Sequence, residues 1–194
     1  MVQTENIRIL QPKVTHDNEW VVLVDANDRE IGVLEKMEAH RQNLLHRAFS
    51  VFVFNQRGEL LLQRRALQKY HSGGLWTNTC CSHPRPGESI EEAATRRLLE
   101  EMGFECPVYD TFSFLYQCDM GNGLYEHEFD HVLFGEFNGI PAPDTTEVMD
   151  WKFSSMEEIE RRMHSNPDEF TEWFKICFCQ VMDHFNNINN RAAG

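Results

Sequence analysis

The stretch Ser82 to Phe104, SHPRPGESIEEAATRRLLEEMGF, holds a loop, a helix start, a helix face and a helix stop in one short run. Pro84-Arg85-Pro86-Gly87 is a loop, because closely spaced prolines remove backbone donors that a helix or strand ladder needs. Ser89 and Glu92 then form an S-x-x-E capping box, and Gly103 stands where a left-handed residue ends a helix. Between them Ile90, Ala93, Ala94, Leu98 and Met102 share one face at helical spacing. Arg97 and Glu101 lie four apart, off that stripe, and can pair.

Working outward, Trp20 to Asp25 (WVVLVD) reads as a strand, and Asn27-Asp28-Arg29-Glu30 as a polar turn into Ile31 to Leu34. Ala48 to Phe54 and Glu59 to Gln63 are apolar runs joined by Asn55-Gln56-Arg57-Gly58, a hairpin with Gly where positive φ is tolerated. Leu75 to Cys81 is a further strand running into the proline loop. Beyond the helix come strands near Tyr109 to Tyr116, Leu124 to Phe134 and Val148 to Phe153. Two C-terminal helices are expected around Met156 to Met163 and Pro167 to His184, with Asn186 to Asn190 as a frayed end. Strands on either side of a capped helix, closed by more helices, indicate an α/β or α+β layered domain, taken as α+β in α/β/α layers, with residues 1–194 as one domain.

Composition sets outer limits. The 194 residues are 41% hydrophobic and 25% charged, as in an ordinary globular domain. With 18 Lys plus Arg against 31 Asp plus Glu the net charge is −13, which argues against nucleic acid as a partner, since phosphates need a basic face. An anionic substrate fits only if the few cations converge on one pocket. Apolar runs such as Ala48 to Phe54 fall far short of the roughly 20 residues that span a bilayer. Met1 to Leu10 has neither a basic start nor an apolar stretch, so no secretory signal is expected and the location reads as cytoplasmic. Six cysteines in such a compartment are expected to be thiols, most of them packing as small hydrophobes.

Three clusters can carry chemistry. His40 and His46 flank a short loop before a strand, and His83 closes another strand; each alone fits an ordinary core or surface residue as well as a ligand. Tyr125-Glu126-His127-Glu128-Phe129 puts Glu126 and Glu128 on one face of a strand, where two carboxylates about 6–7 Å apart repel unless a cation lies between them. A solvated edge is the plain alternative. Three imidazoles with two carboxylates would suit Zn²⁺ or Mn²⁺, and Mg²⁺ with less preference. The third cluster is Cys80-Cys81-Ser82-His83, where a thiol near cationic or metal-bound groups becomes reactive. No Ser/His/Asp arrangement accompanies it.

The stretch Ser82 to Phe104 resembles the Nudix box, G-x5-E-x7-R-E-U-x-E-E-x-G-U with U aliphatic. Glu88, Arg96, Leu98, Glu100, Glu101 and Gly103 match; Ser82 replaces the leading Gly, and Arg97 replaces the first Glu of the R-E-U triplet. A carboxylate at that position helps hold Mg²⁺ in Nudix hydrolases, so the hydrolase reading falls to second place. The wider pattern is similar to the type I isopentenyl-diphosphate isomerases, a branch of the same superfamily. Leu34-Glu35-Lys36 with Ala39-His40, His46 to Ser50, Thr77-Asn78-Thr79-Cys80-Cys81-Ser82-His83-Pro84, and Tyr116 with Glu126 and Glu128 carry the resemblance. It implies a mixed-sheet core over about 44–176, with an N-terminal strand extension and C-terminal helices.

The resemblance also implies roles. His40, His46, His83, Glu126 and Glu128 would hold a divalent ion, Mn²⁺, Zn²⁺ or Mg²⁺. Glu101 and the backbone carbonyl of Cys81 would hold a Mg²⁺ that comes with the diphosphate. Cys81 would be the catalytic thiol, with Glu128 across the substrate and Tyr116 beside it. Lys36, Arg65, Lys69, Ser82 and Arg97 would bind substrate, with Trp173 as an aromatic wall. The residues alone also allow Arg64-Arg65 and Lys69 as a solvated face, Trp173 as packing with Ile176, and Arg97 as an i,i+4 ion-pair partner. The implied reaction turns isopentenyl diphosphate into dimethylallyl diphosphate through a tertiary carbocation. A Nudix pyrophosphohydrolase acting on a nucleoside diphosphate derivative, and a non-catalytic metal-binding module, are the competing readings. The expected partner is a small molecule, with no nucleic acid and no membrane, for a monomer or weak homodimer.

Overall fold

The computed structural model describes residues 19–192; Met1 to Leu10, read above for a signal, lies outside them. The strands are β1 (Trp20–Val24), β2 (Glu30–Glu35), β3 (His46–Phe54), β4 (Leu60–Arg65), β5 (Trp76–Thr77), β6 (Cys80–Ser82), β7 (Val108–Gly121), β8 (Leu124–Glu136) and β9 (Val148–Ser154). Helix α1 (Lys36–Arg41) precedes β3, α2 (Ile90–Met102) follows β6, and α3 (Met156–Ser165) and α4 (Glu172–Ala192) follow β9. Among the described residues the nine strands form one mixed sheet.

The central strand is β3, antiparallel to β1, β4 and β6 and parallel to β8. Its side chains alternate between two cores, as the strand period requires. Phe49, Val51 and Val53 join Ala93, Ala94, Leu98 and Met102 of α2. Phe52 and Phe54 join Ile159 of α3 and Phe174, Cys177 and Val181 of α4. Leu61 and Leu133 face α2, whereas Leu60, Leu62, Val132 and Phe134 face α4. The sheet is thus covered on both faces, which is the layered arrangement expected.

Helix α2 begins and ends where the sequence places it. Ser89 Oγ accepts from the Glu92 amide and Glu92 returns the bond to the Ser89 amide. Gly103 has φ 72°, and a Cβ there would meet Ala142 O at 2.1 Å, so only glycine fits.

Three expectations change. The run Leu75 to Cys81 is two strands, not one, because Asn78 and Thr79 satisfy backbone groups with their side chains. Asn78 Nδ2 donates to Val51 O and Cys80 O, and Thr79 Oγ1 accepts from the Val53 amide. His40 in α1 and His46 at the start of β3 do flank a short loop, and the Glu35 carboxylate caps α1 by accepting from the Met37 and Glu38 amides. The helix expected from Pro167 begins at Glu172, after a 3₁₀ turn at Pro167–Glu169 and an extended Phe170. That helix continues through Asn186 to Asn190 instead of fraying. No helix among the described residues is long and apolar enough to cross a membrane.

Candidate active site

The sheet face that packs on α4 changes character along its strands. On β3 the buried series runs from His46 through Ser50 to Phe52 and Phe54. On β8 it runs from Glu126, Glu128 and Asp130 to Val132 and Phe134. Parallel pairing of β3 and β8 sets His46 beside Glu128, so both polar ends meet at one edge of the core. Helix α1 brings His40 to the same place, and His83 arrives directly after β6.

One donor atom from each of His40, His46, His83, Glu126 and Glu128 falls in a group within 4.8 Å of one another. The Nδ1–H of His40 donates to Lys36 O at 2.7 Å and that of His46 to Leu44 O at 2.8 Å. With Nδ1 spent on a backbone carbonyl, each ring turns its Nε2 toward the group, the nitrogen a metal would take. His40 Nε2 and Glu126 Oε2 are buried and have no hydrogen-bond partner. Burial disfavours charge on His40, but Glu126 and Glu128 outweigh it and raise its pKa. Buried donors preset in this way fit a divalent metal.

Cys81 is the antiparallel partner of Ser50, so it shares that strand face, while Cys80 turns into the α2 core and is fully buried. The period of two separates these neighbouring thiols. Cys81 Sγ donates to Asn78 Oδ1 at 2.9 Å and receives the Trp173 indole N–H at 3.1 Å. Burial, with the nearby charges of Asp130 and Glu101, pushes the thiol up to about 12, so it holds its proton. Glu128 is the opposite case. Burial alone would raise it, but hydrogen bonds from His46 and His83 hold it well below the usual carboxylate range. Tyr116 stands opposite Glu128 in the β7–β8 register and donates its phenol to Oε2 at 2.6 Å.

Lys36, Arg65, Lys69 and Arg97 line one open cavity together with Cys81, Ser82, His83, Glu101, Tyr116, Glu126, Glu128 and Trp173; it encloses about 520 Å³, counting space open to solvent. His40 and His46 stand fully buried behind its wall. Lys69 Nζ is 2.5 Å from Glu147, and Arg97 pairs with both Glu100 and Glu101. Arg65 donates to His71 O and lies 5.3 Å over the Trp173 ring. Burial works against charge on Lys36, but Tyr70 and Glu19 outweigh it and push the amine up to about 12. The cavity therefore gathers its cations beside carboxylates, in an otherwise acidic chain.

Tyr70, His71, Asn78, Asp130 and Glu147 also belong to this region and are absent from the sequence-based set. His71 Nε2 lies 2.7 Å from Glu126 Oε1, and Ser50 Oγ donates to Asp130 Oδ2 at 2.8 Å. Asp130 was reachable by extending the i, i+2 series from Glu126 and Glu128. Tyr70 and His71 sit in a Gly-containing loop where no periodicity marks a direction.

The NUDIX domain family matches residues 44–174. An isopentenyl-diphosphate Delta-isomerase of Pectobacterium atrosepticum is 50% identical over 173 residues, covering 89% of this chain and 97% of that protein. One from Burkholderia multivorans is 52% identical over 156 residues, 80% of this chain and 89% of that protein. Among solved structures, a Deinococcus radiodurans protein superposes with TM-score 0.64 at 21% identity, over 76% of this chain and 90% of the other. A MutT protein from Methanosarcina mazei does so with TM-score 0.58 at 18% identity, over 75% and 95%. These two likenesses concern the fold. The domain match and the close relatives together settle membership: the chain belongs to the NUDIX-domain family and, within it, to the isopentenyl-diphosphate Delta-isomerases.

Proposed function

We propose that this chain converts isopentenyl diphosphate to dimethylallyl diphosphate, with Cys81 and Glu128 as its acid–base pair. The observation that carries the reading is that the Cys81 thiol and the Glu128 carboxylate line one cavity that also gathers four cations. The reaction adds a proton to the terminal methylene carbon of the alkene, leaving a tertiary carbocation. It removes another from the methylene carbon two bonds from the diphosphate oxygen, and the new double bond forms there. Two proton-handling groups with different resting states are what this chemistry needs. Tyr116, hydrogen-bonded to Glu128, orients that carboxylate and can pass a proton to or from it.

The diphosphate makes and breaks no bonds. Lys36, Arg65, Lys69, Ser82 and Arg97 would hold it, and that binding energy keeps the five-carbon unit in register with the pair. Trp173, only 4% exposed, would present its ring to the cation and keep water from trapping it. His40, His46, His83, Glu126 and Glu128 would hold Mn²⁺, Zn²⁺ or Mg²⁺, and Glu101 with the Cys81 carbonyl a Mg²⁺ entering with the diphosphate. When bound, these ions supply positive charge that offsets the carboxylates and the phosphates. Arg97 weakens the hydrolase reading, because it occupies a box position where a carboxylate would be needed and pairs instead with Glu101. The same reading carries a small-molecule partner, a cytoplasmic setting and a monomer or weak homodimer, with no nucleic-acid or membrane partner. Glu128→Gln should lower isomerisation by at least about 10²-fold while the fold, read by circular dichroism, is kept; parent-level turnover would overturn the assignment.

A further inference from the structure

The metal-site donors have fixed outer partners, and one of those partners is a residue with no role so far, His71. His40 and His46 are held by backbone carbonyls, and Glu128 by the Tyr116 phenol. Glu126 has two inequivalent oxygens. Oε2 faces His40 at 3.4 Å, whereas Oε1 lies 2.7 Å from His71 Nε2, a close polar contact not aligned as a hydrogen bond. His71 is 9% exposed, lies outside the group of converging donors, and reaches Glu126 from the loop at 66–75 between β4 and β5.

We propose that His71 is a positioning residue for the metal site, acting through Glu126. Three contacts fix the residue. The edge of its ring meets the Trp173 ring at a centroid distance of 5.8 Å, its Nδ1 is 3.2 Å from Ser72 Oγ, and its backbone carbonyl accepts from Arg65. With the imidazole placed in this way, its Nε2 stands against Oε1, and Oε2 is the oxygen turned inward toward His40. Outer partners of this kind typically change metal affinity by about 10–100-fold, because an unsupported carboxylate samples other rotamers. The same loop carries Lys69, which joins Glu147 at the other side of the cavity. One loop thereby braces a metal-facing carboxylate and presents a cation.

The inference rests on the metal reading of the site and not on the isomerase reaction, so its test reads binding. Mn²⁺ affinity of the metal-stripped full chain is measured by the electron paramagnetic resonance signal of free Mn²⁺. His71→Phe keeps an aromatic ring against Trp173 and removes the donor, so about 10–100-fold weaker binding is expected. His71→Gln restores an N–H near the same place and should recover most of that loss. In a cycle with Glu126→Gln, His71→Phe should add little to the loss Glu126→Gln already causes. If the Phe variant fails to fold by circular dichroism, His71→Ala reads the same donor loss. Parent-level Mn²⁺ affinity in the folded donor-less variant overturns the role of His71. A parent chain that binds no Mn²⁺ overturns the metal reading itself.

Discussion

Tyr116 and Glu128 are direct cross-strand partners on β7 and β8, and the phenol lies 2.6 Å from the carboxylate oxygen Oε2. The pairing is a consequence of register, since a slip of one residue would turn every side chain of β7 to the other face. Both groups are buried, and burial together with the charge of Glu128 raises the phenol well above its ordinary pKa, so it stays a donor. Tyr116→Phe removes one hydroxyl and keeps the packing. A fall in kcat of about 10–100-fold with KM changed by less than threefold is expected. An unchanged kcat would remove Tyr116 from the mechanism.

Cys80 and Cys81 are adjacent and face opposite sides of the sheet. Replacing Cys81 by Ala should abolish isomerisation with the fold kept, because Cys81 lines the cavity. Replacing Cys80 by Ala should leave turnover within about twofold and cost about 1 kcal/mol of stability from the small void. Urea unfolding beside steady-state assays separates the two effects. Equal losses of activity in both variants would contradict the face assignment.

Removing the metal should show in stability as well as turnover. The buried group at His40, His46, His83, Glu126 and Glu128 carries donors that lack partners of their own. A ligand that binds only the folded state stabilises it by about 2.7 kcal/mol at a concentration of 100 Kd. Chelation followed by dialysis should therefore lower the thermal midpoint, and Mn²⁺ or Zn²⁺ at micromolar excess should restore it. A midpoint indifferent to both treatments would count against a built metal site.

The loop that leads into α2 gives a pH-dependent contribution to stability. Burial pushes the Glu88 carboxyl up, but hydrogen bonds from Arg96 and from the Arg85 amide outweigh it and hold it below its ordinary value. A lowered folded pKa means that the stabilisation is full above the unfolded pKa, near 4.3, and fades as pH falls through the folded one. Glu88→Gln should therefore cost about 1 kcal/mol at pH 7, and clearly less near pH 3. Urea titrations at the two pH values test this; an equal cost at both would deny the ion pair its part.

Much of the fold was legible because local signals agreed. The α2 helix carries its capping box, its apolar stripe and its terminal glycine within one run, and each points to the same ends. Strand alternation likewise predicted that Glu126 and Glu128 share a face. Helix α1 escaped notice because six residues are too few to show a helical period, and its cap is a Glu rather than Ser or Asp. The break at Asn78 and Thr79 was hidden because side-chain hydrogen bonds, invisible in a hydropathy pattern, replace the ladder there. His71 and Glu147 sit in loops, and what brings them to the site is the placement of β4, β5 and β9, a tertiary fact. Arg97 is legible in both senses at once: it pairs with Glu101 at i,i+4 as the helix dictates, and it also lines the cavity.

The central claim is that this cavity moves protons on and off the five-carbon unit of a diphosphate ester. Proton NMR of isopentenyl diphosphate incubated in D₂O with the Mg²⁺- and Mn²⁺-loaded chain tests it most directly. The expected result is dimethylallyl diphosphate carrying deuterium in a methyl group, with the diphosphate intact. Release of phosphate or pyrophosphate without isomerised product, or recovery of unlabelled substrate alone from the metal-loaded protein, would contradict it.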